Sequence, residues 1–289
     1  PEFIGPRFIR SWGKASRMQY ATMVIGAALI VLLTLGVGCG LFDRRYVYFP
    51  TRWEAGDWAK QSGLPLEEVW FEASDGVKLY GWLVRSSDSP TTLLICHGNA
   101  GSIIHRLEYL EDLHRRSVSA FIFDYRGYGR SEGTPSEAGL YRDALAAYDV
   151  LTHRYRVPPE RLVILVTSLG AAVDGELAAT RKAAGLILET PFPWVPAMVR
   201  AHYGALPLHF LLRARYDLEA RVTRIHIPVL VLQGDRDQVV PVSLGRAVYV
   251  AANPPKDFYL IRGADHNDTY VIGGEPYFQR IIQFIHEVA

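Results

Sequence analysis

The chain is poor in cysteine and has almost no excess of charge of either sign. Two cysteines occur among 289 residues, Cys39 in an apolar run and Cys96 in a strand-like segment. Two cysteines cannot build a disulfide framework or a zinc cluster, so both are predicted to be small buried hydrophobic residues. The formal net charge is +1, and no run rich in Lys and Arg is interleaved with aromatic residues. The sequence therefore argues against a nucleic-acid partner.

Internal repeats, low-complexity tracts and Gly/Ser-rich linkers are also missing from the sequence. Hydrophobic residues make up 49% and charged residues 21% of the chain, which is a globular composition. A chain of this length can bury a substantial core. We therefore expect one large α/β domain or two small ones after any N-terminal segment.

One long stretch, residues 21–42, contains no charged residue. As a helix it would span about 33 Å, which is enough to cross the hydrocarbon core of a bilayer. We predict a single-pass N-terminal membrane anchor that contacts the lipid bilayer through these residues. A cleaved signal peptide and a lipoprotein signal ending at Cys39 are the alternatives.

Residues 1–20 are predicted to be an N-terminal tail that is partly a cloning remnant, because the chain begins Pro-Glu-Phe. Lys and Arg residues are more frequent before the apolar stretch than after it. This balance predicts that the remainder of the chain lies on the non-cytoplasmic side of the membrane. The prediction of sidedness disappears if Met18 is the native start.

Beyond the apolar stretch, short apolar strands alternate with amphipathic helices. This alternation predicts the α/β class, with a mostly parallel central sheet and helices on both faces. Residues 191–224 are rich in proline, aromatic residues and arginine and interrupt the alternation, so they predict a small helical cap. In such sheets functional residues gather on the loops that leave the carboxyl ends of the strands.

Four predicted strands end in residues that are able to do chemistry. The order along the chain is a glycine-containing loop, a serine, an acid and a histidine, which is the order of a catalytic triad on an α/β-hydrolase scaffold. The four loops are His97-Gly98-Asn99-Ala100-Gly101, Thr167-Ser168-Leu169-Gly170, Asp235-Arg236-Asp237 and Ala264-Asp265-His266-Asn267.

A serine hydroxyl is a weak nucleophile and needs three kinds of help. A neutral imidazole must take its proton, and a carboxylate must fix the tautomer of that imidazole. We predict Ser168, His266 and Asp237 for these roles. The oxygen that becomes negative needs backbone N–H donors, and we predict that Asn99 and Leu169 supply them as an oxyanion hole.

The segments ICHGNAG, FDYRGYGRSEGTPSEAG, TSLGAA, LQGDRDQVVP and GADHND together resemble the α/β-hydrolase superfamily, in particular the serine hydrolases similar to Bem46 and the ABHD13- and ABHD17-like proteins. The resemblance covers residues 46–289. It implies an α/β-hydrolase fold and the hydrolysis of esters or thioesters through an acyl-serine intermediate, without a metal or an organic cofactor. It also implies that the acid is Asp237, the second aspartate of G-x-x-D, with Asp235 as the alternative.

The serine motif departs from G-x-S-x-G at its first glycine, where this chain has Val166. A β-branched side chain at that place predicts a crowded or displaced serine with low or restricted activity, or none. Three functions therefore stay open. We favour a serine carboxylesterase for short- to medium-chain acyl esters over an acyl-protein thioesterase and over a non-catalytic hydrolase-like binding protein.

The substrate pocket is expected beside the serine, under the cap. His97 and Tyr125 from the loops, and Phe192 and Trp194 from the cap, are predicted at its rim. The expected partner is a small-molecule acyl ester. No residue is predicted to bind a metal or a cofactor.

Overall fold

The computed structural model describes residues 7–38, 40–87, 89–206 and 208–289. Cys39, and with it the predicted end of a lipoprotein signal, lies outside the described residues. The strands are β1 Phe49–Pro50, β2 Leu66–Glu72, β3 Lys78–Val84, β4 Thr92–Cys96, β5 Ala100–Gly101, β6 Ser119–Asp124, β7 Leu162–Thr167, β8 Gly185–Glu189, β9 Val229–Gly234 and β10 Lys256–Ile261. The helices are α1 Arg7–Gly38, α2 Leu41–Tyr46, α3 Trp58–Gln61, α4 Leu107–Arg115, α5 Glu137–Asp149, α6 Leu169–Thr180, α7 Val195–Tyr203, α8 Leu218–Val222, α9 Val242–Ala251 and α10 Thr269–Val288.

Helix α1 contains a candidate membrane span. Its stretch Gln19–Gly36 has a mean hydropathy of 1.8 and is only 6% buried within the protein, so its apolar side chains do not belong to a protein core. The helix ends earlier than the predicted segment 21–42. Gly40 adopts a left-handed backbone conformation (φ 66°), and a new helix, α2, begins after it at Leu41. Length and composition are those of a membrane anchor or of a signal sequence.

Eight of the described strands form one sheet in the order β10-β9-β8-β7-β4-β6-β3-β2, and β1 and β5 pair in parallel as a separate two-stranded sheet. The strands from β6 to β10 in this order run parallel, whereas β3 is antiparallel to both β6 and β2. The central strands are buried along almost their whole length, as continuous apolar strands covered on both faces must be. The predicted α/β-hydrolase sheet is confirmed.

Helices cover both faces of this sheet. Along β7, Ile164 and Val166 belong to the core that contains residues of α5 and α6. The alternate residues Val163 and Leu165 belong to the core that contains residues of α4 and α10. This division follows from the two-residue repeat of a strand, which sends successive side chains to opposite faces.

Residues 191–224, here called the cap, carry α7, a 3₁₀ turn at Leu208–Leu211 and α8. Helix α5 holds the cap in place through Glu137. The carboxylate of Glu137 accepts the backbone N–H groups of Arg215 at 2.7 Å and Tyr216 at 2.9 Å. Because these are charge-assisted hydrogen bonds, they fix the carboxyl-terminal part of the cap over the sheet.

Candidate active site

Ser168 lies at the sharp turn between β7 and α6. Its backbone has φ 54° and ψ −113°, a conformation that costs a non-glycine residue about 1–3 kcal/mol. The backbone N–H of Ser168 donates to the carbonyl of Glu189 at 2.9 Å. Gly170 lets α6 approach β4 closely, because a Cβ there would lie 2.5 Å from the Cys96 carbonyl oxygen. The turn therefore presents the serine hydroxyl at the carboxyl edge of the sheet.

Val166 does not displace this turn, although the sequence suggested that it would. Its side chain is fully buried and is accommodated in the core beneath α6. It pairs with Cys96 on β4 and with Leu188 on β8. The hydroxyl of Ser168 still lies within hydrogen-bond distance of an imidazole. Valine at the first glycine position of the motif is thus compatible with the strand-turn-helix geometry.

The structure brings together the three side chains predicted for a triad. Ser168 Oγ lies 3.1 Å from Nε2 of His266, and Nδ1 of the same ring lies 2.9 Å from Oδ2 of Asp237. The three residues are 7%, 8% and 7% exposed, respectively. Because the carboxylate can only accept, the proton of the neutral ring resides on Nδ1 and the lone pair of Nε2 faces the serine.

The carboxylate of Asp237 is held by donors on both of its oxygens. Oδ1 accepts the backbone N–H groups of Val239 at 2.9 Å and Val240 at 2.7 Å. Oδ2 accepts from Nε2 of Gln233 at 3.0 Å as well as from His266. These donors fix the orientation of the carboxylate toward the imidazole.

Neighbouring acidic residues hold the backbone of the loops rather than the imidazole. Asp235, the alternative acid, accepts the N–H of Gly263 at 2.7 Å. Asp265 accepts the N–H groups of Gln238 at 2.8 Å and His266 at 2.7 Å. Of the two candidate acids, Asp237 is therefore the one in contact with the ring. Within the part of the chain that the structure describes, no group of three or more His, Cys, Asp or Glu is arranged to hold a metal ion.

A cavity of about 250 Å³ opens beside the serine hydroxyl. Its walls come from the serine turn, from the loop 97–101, here called the oxyanion loop after its predicted role, from the end of α2, from Val239 after β9 and from the cap. Most of the lining side chains are apolar, as is usual for a site that binds small organic ligands. The lining residues are Tyr46, Val47, Asn99, Ser168, Leu169, Phe192, Val195, Met198, Val199, His202, Tyr203, Leu212 and Val239.

Asn99 and Leu169, the predicted oxyanion residues, both line this cavity. The side-chain amide of Asn99 donates to the carbonyl of Val47 at 3.0 Å. Its own carbonyl accepts the N–H of Phe49 and the hydroxyl of Tyr128, each at 2.9 Å. Leu169 is the first residue of α6, so its N–H has no acceptor within the helix. These bonds hold the loop in place, and the serine turn carries an N–H that is not used within the helix.

Of the four residues predicted at the pocket rim, the structure places only Phe192 in the cavity lining. His97 and Tyr125 are each 1% exposed and pack ring against ring, with centroids 4.8 Å apart. Nδ1 of His97 donates to the Gly98 carbonyl at 2.7 Å. The two rings therefore support the oxyanion loop from beneath. Trp194 precedes α7 and is 37% exposed, away from the cavity.

Burial keeps both His97 and Asp124 in their neutral forms over wide pH ranges. It lowers the pKa of His97 to about 3 and raises the pKa of Asp124 to about 7, because desolvation disfavours charge. Nε2 of His97 lies 3.9 Å from Oδ1 of Asp124. The same Oδ1 accepts the N–H of Ile103 at 2.9 Å.

We expect the Asp124→Asn variant to be stabilised relative to the wild type as pH rises. A carboxyl with a raised pKa in the folded state contributes its full stability below about pH 4 and loses it as pH rises through about 7. Asparagine keeps an oxygen acceptor for Ile103 and does not ionise. The difference in Tm, variant minus wild type, should increase from about pH 4 to pH 7 and then level off. Thermal unfolding in detergent at several pH values measures it, and a difference independent of pH would contradict the prediction.

Sequence reasoning missed Glu189, a buried carboxylate at the end of β8. Oε2 of Glu189 accepts the hydroxyl of Thr167 at 2.9 Å, and Oε1 accepts the hydroxyls of Thr269 at 2.6 Å and Tyr277 at 2.8 Å. Together with Thr167 and His266 it lines a small cavity of about 50 Å³. Glu189 thus ties the strand before the serine to the helix after the histidine. The sequence signal that could have identified Glu189 is its position as the single acidic residue at the end of an otherwise apolar strand.

The sheet order, the serine turn and the histidine and aspartate that follow together define the α/β-hydrolase class. Comparison with known proteins agrees. A family model described as "Serine aminopeptidase, S33" matches residues 88–210. The chain is also more than 30% identical, over most of its length, to relatives named alpha/beta hydrolase domain-containing proteins. It therefore belongs to the α/β-hydrolase superfamily, which confirms the resemblance seen in its sequence motifs.

Two relatives and one solved structure illustrate the similarity. The chain is 38% identical to the uncharacterized protein Rv2307c of Mycobacterium tuberculosis, over 91% of this chain and 94% of that protein. It is 31% identical to alpha/beta hydrolase domain-containing protein 17B of Xenopus tropicalis, over 80% of each. An esterase of Pyrococcus furiosus, Pf2001, superposes with a TM-score of 0.70 at 20% identity, covering 84% of this chain and 98% of that one. At that identity the likeness shows the shared fold.

Proposed function

We propose that the protein is a serine carboxylesterase that cleaves short- to medium-chain acyl esters. One observation carries the proposal: Ser168 Oγ lies 3.1 Å from His266 Nε2, and the ring is backed by Asp237 at 2.9 Å. The base is thus within hydrogen-bond distance of both the nucleophile and the orienting acid before substrate binds. The cavity beside the serine supplies an apolar wall for an acyl chain.

Acylation begins when the acyl chain occupies the cavity and its carbonyl carbon meets Ser168 Oγ. The oxygen forms a bond to that carbon while His266 Nε2 takes the hydroxyl proton, and the carbonyl electron pair moves onto oxygen. The N–H groups of Leu169 and Asn99 stabilise this oxyanion, and each such donor contributes about 3–4 kcal/mol. The bond to the alcohol oxygen then breaks, and the imidazolium returns its proton to the leaving alcohol.

Deacylation repeats the same steps with water as the nucleophile. His266 Nε2 takes a proton from water as its oxygen attacks the acyl carbon, and the carboxylic acid leaves as Ser168 Oγ regains the proton. The carboxylate of Asp237 stabilises the imidazolium in both steps. Its fixed hydrogen bonds to the backbone keep it from rotating as the ring gains charge.

The cavity favours an ester over a peptide with a free amino terminus. An aminopeptidase has to neutralise the ammonium group of its substrate. None of the described residues that line the cavity is acidic. Apolar side chains from the cap, among them Phe192, Met198 and Leu212, instead offer contacts to an acyl chain.

Thioester cleavage on lipidated proteins is the second candidate, favoured by the position of the cavity. Tyr46 and Val47 line the cavity and follow closely on the candidate membrane span, where acylated protein tails would lie. Comparing oxygen-ester and thioester substrates with the same acyl group separates the two activities.

We also propose that α1 is a single-pass anchor that leaves residues 46–289 on the non-cytoplasmic side, since Lys and Arg are more frequent before the span.

A fluorophosphonate probe tests the proposed function directly. An activated serine attacks the phosphorus and becomes labelled, so the wild type should be labelled and the Ser168→Ala variant should not. Ser243→Ala, which changes an exposed serine on α9, is the matched control and should be labelled like the wild type. Absence of labelling in the wild type would favour the non-catalytic binding protein, and labelling of Ser168→Ala would place the reactive serine elsewhere.

A further inference from the structure

We propose that the cap rests on the surface of an anionic phospholipid bilayer, the one that α1 enters, so that the cavity opens onto lipid. The inference rests on the proposed anchor and esterase functions and names the source of the substrate, an acyl ester within the membrane. The contact surface, called here the docking surface, is formed by exposed apolar side chains. They are Leu41, Tyr46, Tyr203, Leu206 and Phe210.

The first argument is the short connection between the candidate span and the hydrolase domain. Helix α1 ends at Gly38 and α2 begins at Leu41, so three Cα–Cα steps limit their separation to about 11 Å. Phe42 of α2 also packs against α1, because a Cβ on Gly36 would lie 2.9 Å from its ring. Helix α2 therefore lies at the end of the span, at the level of the membrane surface.

The second argument is that α2 is fixed to the cap. The carboxylate of Asp43 accepts the backbone N–H groups of Arg213 at 2.9 Å and Ala214 at 3.2 Å. The hydroxyls of Tyr48 and Tyr216 lie 2.8 Å apart. A cap tied in this way to the helix after the span cannot be far from the bilayer. Tyr46 of α2 and Tyr203 of α7 both line the cavity and are more than half exposed, so the cavity reaches the protein surface beside α2.

The third argument is the chemistry of the docking surface. Tyr203, Leu206 and Phe210 are 59%, 60% and 57% exposed, and clusters of this kind on a protein surface mark interaction sites. Residues 191–216 contain arginines at 200, 213 and 215 and no Asp or Glu. The charged residues within this segment are all arginines, and the two carboxylates bonded to it, Asp43 and Glu137, are occupied by its backbone N–H groups. Apolar side chains among arginines suit an anionic lipid interface. The same positive charges would repel a second copy of this surface.

The arrangement has a direct consequence for substrate entry. An acyl chain could pass from the bilayer into the cavity between Tyr46 and Tyr203, both of which line it, without crossing water. Transfer from lipid to an apolar cavity avoids the free-energy cost of exposing each CH₂ group to water. Esters embedded in the membrane are therefore the expected substrates in preference to soluble ones.

Lipid quenching of a fluorophore tests the docking without reference to catalysis. The full-length Ser168→Ala protein, with Cys39→Ser, is placed in nanodiscs of phosphatidylcholine and phosphatidylglycerol that contain doxyl-labelled lipid. Leu206→Cys, Phe210→Cys and the control Val250→Cys each receive an NBD group, and Cys96 is buried and does not react. Val250 on α9 is 73% exposed but does not belong to the docking surface, which makes it a suitable control. We expect at least about twofold stronger quenching at positions 206 and 210 than at position 250, because only the docking surface is proposed to contact lipid. Equal quenching would overturn the proposal, as would shielding of position 206 without quenching, which would indicate a second copy there.

Substrate preference supplies the second readout. The double variant Leu206→Glu and Phe210→Glu should hydrolyse a long-chain umbelliferyl ester in vesicles about tenfold more slowly than wild type. Its rate on soluble p-nitrophenyl butyrate should be unchanged. The control pair Val250→Glu and Val271→Glu, also exposed apolar residues, should alter neither rate. An equal loss on both esters would overturn the docking proposal, whereas a wild type inactive on both would refute the esterase and leave the quenching result to decide docking.

Discussion

Replacing Ser168 by alanine is expected to lower kcat/KM for p-nitrophenyl butyrate on the order of 10⁴-fold or more. The hydroxyl is the only group at the turn positioned to form the acyl intermediate, because its oxygen is the atom in contact with His266 Nε2. Without it, the oxyanion donors and the cavity can still hold substrate. Binding should therefore change little while the chemical step is lost.

Steady-state kinetics on the purified full-length protein measures the effect, with thermal unfolding as the check on folding. The variant should unfold at or slightly above the Tm of the wild type, because only one buried oxygen has been removed. A kcat/KM equal to that of the wild type in a folded variant would show that hydrolysis does not use this serine.

Asp237→Asn is expected to lower kcat by about 10⁴-fold through the tautomer of His266. Oδ1 is committed to the backbone N–H groups of Val239 and Val240, so the asparagine oxygen would stay there and its NH₂ would replace Oδ2. The NH₂ would then donate to Nδ1 and force the ring proton onto Nε2. A protonated Nε2 faces the serine with no lone pair to accept its proton.

Asp235→Asn provides the matched control for this variant. Asp235 contacts the backbone N–H of Gly263, and asparagine retains an oxygen that can accept it. Its kcat should stay within about threefold of the wild type. The pH dependence of residual activity in both variants distinguishes a tautomer effect from a folding defect. A larger loss for Asp235→Asn than for Asp237→Asn would reverse the assignment of the acid.

The meeting of Ser168, Asp237 and His266 could be predicted because parallel strands deliver their carboxyl ends to one edge of the sheet. Each residue directly follows, or nearly follows, an apolar strand in the sequence. The order of the strands need not be known for this argument, since the carboxyl end of every parallel strand reaches the same edge. Local patterns were therefore enough for the residues at the strand ends.

Contacts between side chains distant in sequence were not predictable in the same way. The three hydroxyls that donate to Glu189 come from β7 and from two positions on α10. Nothing in the local pattern of Thr269 or Tyr277 indicates that they share a carboxylate. The burial of His97 and Tyr125 beneath the oxyanion loop likewise depends on packing between loops rather than on position along the chain.

Val166 shows how a single departure from a motif can mislead. Glycine at that position avoids crowding, and its loss predicted a displaced serine. In the structure the valine occupies space in the core, and the close approach that the turn requires is supplied by Gly170. Glycine at a motif position indicates that most sequences need space there. Whether this chain needs that space depends on the neighbouring contacts.

The hydrogen bonds between Asp43 and the cap also determine which part of the protein proteolysis after α1 would release. Asp43 lies downstream of the last residue of α1, and its contacts with Arg213 and Ala214 do not involve that helix. Cleavage between Gly38 and Leu41 would therefore release a domain that still carries the wall formed by Tyr46 and Val47. Under the proposal that α1 is a membrane anchor, the released domain would keep its complete cavity and the contacts among Ser168, His266 and Asp237 while losing its attachment to the bilayer. Cleavage would then change where the protein acts without changing its chemistry.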